Sequence, residues 1–310
     1  MTPFFSDAKT VLLFALGAIA LFYIVVLGAE LRRRRTAQKA AGGAVESDAP
    51  TLTGMAIGFV TNFLDTLGIG SYATTTSAFR FFKTVPDEKI PGTMNVGHTL
   101  PTIVEAFIYT QIVPIESKTL IMMIAAAALG AWLGAGVVAS WPRRAVQIGM
   151  GTALLLLAAA LVYRQTMMPV GGTALALTGG KLAIAVSVNF VLGALMTIGV
   201  GLYAPCMIMI ALLGMNPSAA FPVMMGSCAF LMPVASIRFI KSGRFDGKAL
   251  LGLMVGGIPG VLIAAFLVKS MPLTAVFWLV VVVVIYTATS LLRTAARERR
   301  VAAAAENYAV

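Results

Sequence analysis

Charge is scarce in this sequence. Only 11% of its 310 residues are Asp, Glu, Lys or Arg, against about 25% in soluble domains, which excludes an ordinary water-facing globule. Histidine and cysteine are scarcer still: His98, Cys206 and Cys228 are all there are. Both cysteines lie inside apolar stretches, so they offer neither a disulfide framework nor a metal cluster and read as small packing residues. No P-loop or other nucleotide motif occurs, and no cofactor is expected. Apolar residues, by contrast, make up 59% of the chain, and mean hydropathy is +0.92. The fold class that follows is an all-α polytopic membrane protein. A net charge of +11 would suit nucleic acid, but the basic residues flank apolar runs, as lipid headgroups and membrane topology require.

The first apolar run, residues 10–29, is followed by ELRRRR, the reverse of the charge order in a cleaved signal peptide. We read residues 1–35 as a transmembrane helix with its basic flank and an outside N-terminus, and 36–50 as a cytoplasmic linker of small and polar residues. A first repeat is assigned to 51–165, a connecting loop to 166–180, a second repeat to 181–295 and a cytoplasmic tail to 296–310. The duplication is visible in GFVTNFLDTLGIGSYA from Gly58 and NFVLGALMTIGVGLYA from Asn189. Thr66/Thr197, Gly68/Gly199, Gly70/Gly201 and Tyr72/Tyr203 all match at an offset of 131, which persists through Pro86/Pro217 and Met94/Met225 and slips by one residue elsewhere. Each half holds one glycine-broken segment (51–83; 181–213) and three uninterrupted runs: 93–111, 118–141 and 144–163, then 220–240, 249–268 and 272–292.

Each arm of a broken segment spans about 20–25 Å as a helix, nearly the whole hydrocarbon core, so a hairpin is expected rather than one interrupted span. With hairpins, five of the 23 Lys and Arg fall outside (Lys9, Lys118, Arg164, Lys181, Lys269) and the rest inside. Equivalent loops carry opposite charge densities. The loop with Arg80, Lys83 and Lys89 matches LLGMNPSAA, which has no basic residue, and the loop with Lys118 matches that with Arg238, Lys241, Arg244 and Lys248. The expected architecture is therefore an inverted-topology repeat, a broken hairpin plus three transmembrane helices per half, with one extra N-terminal helix in the inner membrane and a cytoplasmic C-terminus.

A chain leaves helical geometry at membrane depth only where its freed amides and carbonyls face protein or water. The paired GxG breaks thus mark two tips, each followed by a helix whose N-terminus attracts negative charge. A small anion bound near the membrane midplane between the tips, with alternating access, is the function these features suggest. The expected contact set is Thr66, Gly68, Gly70, Ser71, Tyr72, Thr74, Thr75, Asn95, Gly199, Gly201, Tyr203, Cys206 and Ser227. His98 and Glu105 are candidates for proton coupling, since ionisable groups at membrane depth call for a functional reading. Asp65, just before the break, can instead hold the hairpin together. The same small and hydroxyl residues also serve close helix packing. A Ser71/His98 hydrolase and a membrane assembly factor without transport are the alternatives.

The paired glycine-break segments, together with NPSAAFPVMMGSCAFLMPVASIRFIKSGRFD in the second half, resemble the sulfite exporter TauE/SafE family of membrane transporters over residues 51–295. The charged TVPDEKIPG and His98 depart from that pattern. The resemblance implies transport of sulfite, sulfoacetate or related organosulfonates, without fixing direction. The partners expected are that anion, a coupling proton or other ion, and the lipid bilayer; a homodimer is also allowed.

Overall fold

In the computed structural model, residues 8–40, 49–138, 142–167, 172–196 and 201–308 are described. Regular structure among them is helical, apart from one isolated bridge between Ala174 and Met215. The helices are α1 (Ala8–Ala40), α2 (Leu52–Thr66), α3 (Ser71–Phe82), α4 (Ile90–Ile112), α5 (Ser117–Val138), α6 (Arg143–Met167), α7 (Gly179–Met196), α8 (Tyr203–Leu212), α9 (Ala220–Ser242), α10 (Gly247–Ser270) and α11 (Leu273–Tyr308). Five segments are long and apolar enough to cross a membrane: Lys9–Ala40, Gly179–Met196, Pro217–Ser242, Gly247–Ser270 and Thr274–Glu298. Helix α4, at 23 residues, has the length as well and is set apart by the polar side chains it buries. α1 runs five residues beyond the basic flank that ends at Arg35, and α11 carries helix through most of the segment expected as a tail.

The duplication extends to helix ends. α3 stops at Lys83 in the left-handed region (φ 52°), and Thr84 N donates to Phe79 O; α8 stops at Gly214 (φ 89°), and Met215 N donates to Ile210 O. Each residue of the second set lies 131 positions after its counterpart. This is the stop in which one left-handed residue returns the next amide to a carbonyl five residues back. A short 3-10 turn then follows in each half, at Asp87–Lys89 and Pro217–Ala219, and leads into a 23-residue helix with a proline in its interior, Pro101 or Pro233.

Packing divides the chain into two compact units that interleave the halves. Unit 1 is Met1–Lys118 with Met225–Ser270, and unit 2 is Thr119–Met224 with Met271–Val310. In unit 1, α2 lies directly on α10. A Cβ on Gly256 would meet the carbonyl of Met55, one on Gly260 the carbonyl of Phe59, and one on Gly58 the backbone of Leu253. In unit 2, α7 lies on α5 in the same way: a Cβ on Gly130 would meet the carbonyl of Phe190 and one on Gly193 the carbonyl of Ala127, while Asn189 Nδ2 donates to Met123 O (2.7 Å). Gly260/Gly130 and Leu253/Met123 are 130 apart, and Phe59/Phe190 and Gly58/Asn189 are 131 apart. The same interface is thus built twice from equivalent residues. Small residues permit it, because without a hydrophobic drive between helices in lipid, backbones gain most by approaching closely.

Unit 1 is completed by Ile57, Phe79, Val85, Ile90, Met94, Ala249 and Leu253, which pack α3 and α4 against the α2–α10 pair. On its far side Tyr23 of α1 donates to Val96 O (2.6 Å), and Arg34 stacks over the Phe245 ring (3.7 Å).

Candidate functional site

The break between α2 and α3 is made by two glycines. Gly68 (φ 89°) ends α2: its amide donates to Asp65 O, and that of Ile69 donates to Leu64 O (3.1 Å). Gly70 (φ 91°) then turns the chain into α3. Positive φ at both is what glycine alone adopts without strain. The two arms fold back on one another. Asn62 Oδ1 and Thr75 Oγ1 sit 2.9 Å from the two ring nitrogens of His98. They therefore lie within roughly 8 Å, where the thirteen helical steps from one to the other would span about 20 Å as continuous helix. The break in the first half thus turns the chain sharply and does not continue one straight helix.

A capping side chain is missing at Gly70, and Asp65 supplies the acceptor from the other arm. Its Oδ1 accepts from Ser71 N (2.7 Å) while the residue stays 3% exposed. The structural role expected of Asp65 is the one observed. The carboxylate neutralises part of the positive helix end that sequence marked for an anion. What remains at the tip is the Ser71 hydroxyl, with no hydrogen bond among the described residues, and unfilled space, since nothing lies within 4 Å of where a Gly70 Cβ would be.

The threonines are engaged elsewhere. Thr74 Oγ1 donates to Ser71 O (2.8 Å), Thr76 Oγ1 to Tyr72 O (2.8 Å), and Thr75 faces His98. Asn62 Nδ2 donates to Gly58 O (2.7 Å), so its Oδ1 accepts from His98 Nδ1–H, leaving Nε2 to accept from Thr75. His98 is thus a fully bonded strut between the arms, and no hydrogen bond joins it to Ser71. A Ser–His nucleophile pair is not formed. Tyr72 OH donates to Asn95 Oδ1 (3.0 Å), and its ring lies 6.2 Å from that of His98.

Deeper in unit 1, Thr66 Oγ1 lies 2.7 Å from Asn62 O and 2.8 Å from Glu105 Oε1, and Tyr109 OH donates to Thr66 O (3.0 Å). Among the described residues, Glu105 Oε2 and Thr102 Oγ1 are buried without a hydrogen-bond partner. His98, Thr102, Glu105 and Tyr109 form one stripe along α4. Their spacing of four, three and four residues was available from sequence, yet Thr102 and Tyr109 were not singled out there. Ser227 is buried on α9 in unit 1. Gly201, Tyr203 and Cys206 belong to unit 2, where Cys206 is buried and Gly201 again faces open space. Gly199 and its neighbour Thr197 lie outside the described residues.

Five membrane-length helices, with buried polar side chains gathered on α2, α3 and α4, define a multi-pass membrane protein, the class in which transporters are found. Within it, the chain belongs to the sulfite exporter TauE/SafE family, whose profile matches residues 3–161, just over half of the sequence. The match takes in α1 and residues 51–161, and does not extend into 181–295, over which the sequence resemblance was also drawn. Searches of curated proteins and of solved structures returned no match.

Proposed function

We propose that this protein is a secondary transporter of small sulfur-containing anions, sulfite, sulfoacetate or related organosulfonates, that binds its substrate at the tip of the α2–α3 hairpin. The observation that carries the reading is the combination at that tip: open space at Gly70, an uncommitted Ser71 hydroxyl, and first-turn amides of α3 beyond Ser71 that have no intrahelical acceptor. A sulfonate presents three acceptor oxygens and a fixed charge, and short hydroxyl and amide donors suit it. Tyr72 and Asn95 close one side of the tip through their mutual hydrogen bond. Family membership supports a sulfur-containing anion as the substrate, and two halves in inverted topology would give alternating access.

The test is flux of radiolabelled sulfite and methanesulfonate in reconstituted vesicles. Wild type transports at least one of them, and Ser71→Ala weakens its apparent affinity by about 1–3 kcal/mol, the worth of a hydrogen bond to a charged group. An assembly factor would give no flux with either anion. Topology is tested separately with single cysteines at positions 89 and 217 in a cysteine-free background. Under the inverted reading, with the inner face basic and the N-terminus outside, an impermeant maleimide labels them from opposite sides of the membrane.

A further inference from the structure

The hydrogen count around Glu105 leads beyond the substrate. Thr66 Oγ1 carries one hydrogen yet makes two short contacts, to Asn62 O (2.7 Å) and Glu105 Oε1 (2.8 Å). With Glu105 ionised, the single threonine hydrogen would have to be shared between the two acceptors. With a proton on Glu105 donated to Thr66 Oγ1, the threonine hydrogen is free for the Asn62 carbonyl and both short contacts are full hydrogen bonds.

The surroundings agree. Glu105 is fully buried, and among the described buried side chains the ionisable acids and bases are Asp65, His98 and Glu105, with neither lysine nor arginine. Asp65 on α2 is within electrostatic reach of Glu105 and is itself engaged by the Ser71 amide, an interaction with the ionised form. Further titratable groups on the packed elements are Tyr72 on α3, His98 and Tyr109 on α4, Tyr23 on α1 and Cys228 on α9, while the cations of these helices stand toward their ends: Arg80 on α3, Arg238 and Lys241 on α9, and Lys9, Arg32 to Arg35 and Lys39 on α1. α10 contributes none between Lys248 and Lys269 and offers Leu253 and Gly257 to α4. Two ionised carboxylates and an arriving anion would put three negative charges close together, with no lysine or arginine among the described buried side chains.

We infer that Glu105 is a proton-binding site that couples to anion transport: one proton binds the carboxyl as one anion binds the hairpin tip, and both leave together. Charge balances, since a monoanion and a proton cross as a neutral pair. Thr66 positions the protonated carboxyl, and the unpartnered Glu105 Oε2 and Thr102 Oγ1 mark where the proton enters and leaves. Sodium fits poorly, because a cation of that size needs several oxygens and the nearby carbonyls of Phe63, Leu64, Asp65 and Thr66 already accept hydrogen bonds.

The coupling rests on the anion-transport reading, whereas the protonated carboxyl does not, and two measurements separate them. Infrared titration of the full-length protein in lipid, without substrate, shows a protonated-carboxyl C=O band at neutral pH that is lost at alkaline pH, is missing from Glu105→Gln and ignores sodium. Thr66→Val shifts this band, which keeps the assignment testable should Glu105→Gln fold poorly. No such band, or one unaltered by both variants, overturns the proposal. In vesicles at zero membrane potential, a pH difference drives methanesulfonate accumulation of about tenfold per pH unit. Methanesulfonate stays ionised throughout, so the proton must be the protein's. Glu105→Gln abolishes accumulation but retains anion exchange. Accumulation driven by sodium and not by pH refutes the coupling. A Glu105 band in a protein that moves neither methanesulfonate nor sulfite upholds the proton site and sinks the substrate assignment.

Discussion

Replacing Asp65 by Asn is the sharpest probe of the hairpin tip. The Asp65 carboxylate accepts from Ser71 N at 2.7 Å, so an anion on the next amides of α3 would sit about 5 Å from it. At the effective dielectric of about 20 that describes partly buried sites, two like charges at that distance repel by about 3 kcal/mol. Asn keeps an acceptor oxygen for the Ser71 amide and removes the charge. The helix cap loses about 1 kcal/mol in exchanging an ionic hydrogen bond for a neutral one. Anion affinity should rise, by up to about 100-fold if the repulsion is fully expressed. Titration calorimetry with sulfite and methanesulfonate in detergent measures this directly. Asp65→Ala is the control: it orphans the buried Ser71 amide and should cost about 1–3 kcal/mol of stability. Unchanged or weaker anion binding by a folded Asp65→Asn protein would refute the placement of the substrate at the start of α3.

Gly201→Ala adds a methyl group into open space, and sulfite affinity should fall at least several-fold if the second tip also receives the anion; unaltered affinity in a folded protein removes Gly201 from the contact set. Thr75→Val leaves a buried His98 nitrogen without a partner and should lower stability by about 1–3 kcal/mol, read as a drop in unfolding temperature. Gly256→Ala and Gly130→Ala drive a methyl into the Met55 and Phe190 carbonyls and should each destabilise by about 1–3 kcal/mol; a variant as stable as wild type would show that its interface is not tightly packed.

Much of this was legible in sequence because glycine and proline mark backbone events directly. The 131-residue offset read from Gly68, Gly70 and Tyr72 reappears in helix stops and interhelical contacts. A turn at the first break was expected from the glycines, and in the structure His98 and Asp65 both bond across it. Individual polar roles were harder to read. Sequence offers Thr74 and Thr75 as donors toward the tip with Thr76 beside them, but a threonine in a helix readily bonds the carbonyl one turn back, and whether it does is a matter of rotamer. Two of them do so here, and Thr75 is taken by His98. Lys83 was opaque for another reason: it holds the left-handed stop that glycine holds at 214, and nothing in a lysine announces it. Nor could the sequence show that the compact units draw on both halves, since pairing between distant helices leaves no local mark.

The interleaving gives biosynthesis an order. α7 meets α5 soon after it emerges, because its partner is already made. α2 must wait for α10, which begins 181 residues after Thr66. At about 5–20 residues per second the wait is roughly 10–40 s. Through that interval the glycine face of α2, and the polar hairpin joined to it, lack their partner helix. A ribosome stalled before residue 247 should hold unit 1 open to protease while the α5–α7 pair is already closed, and anything that shields nascent polar hairpins in the bilayer would act on this chain in that window.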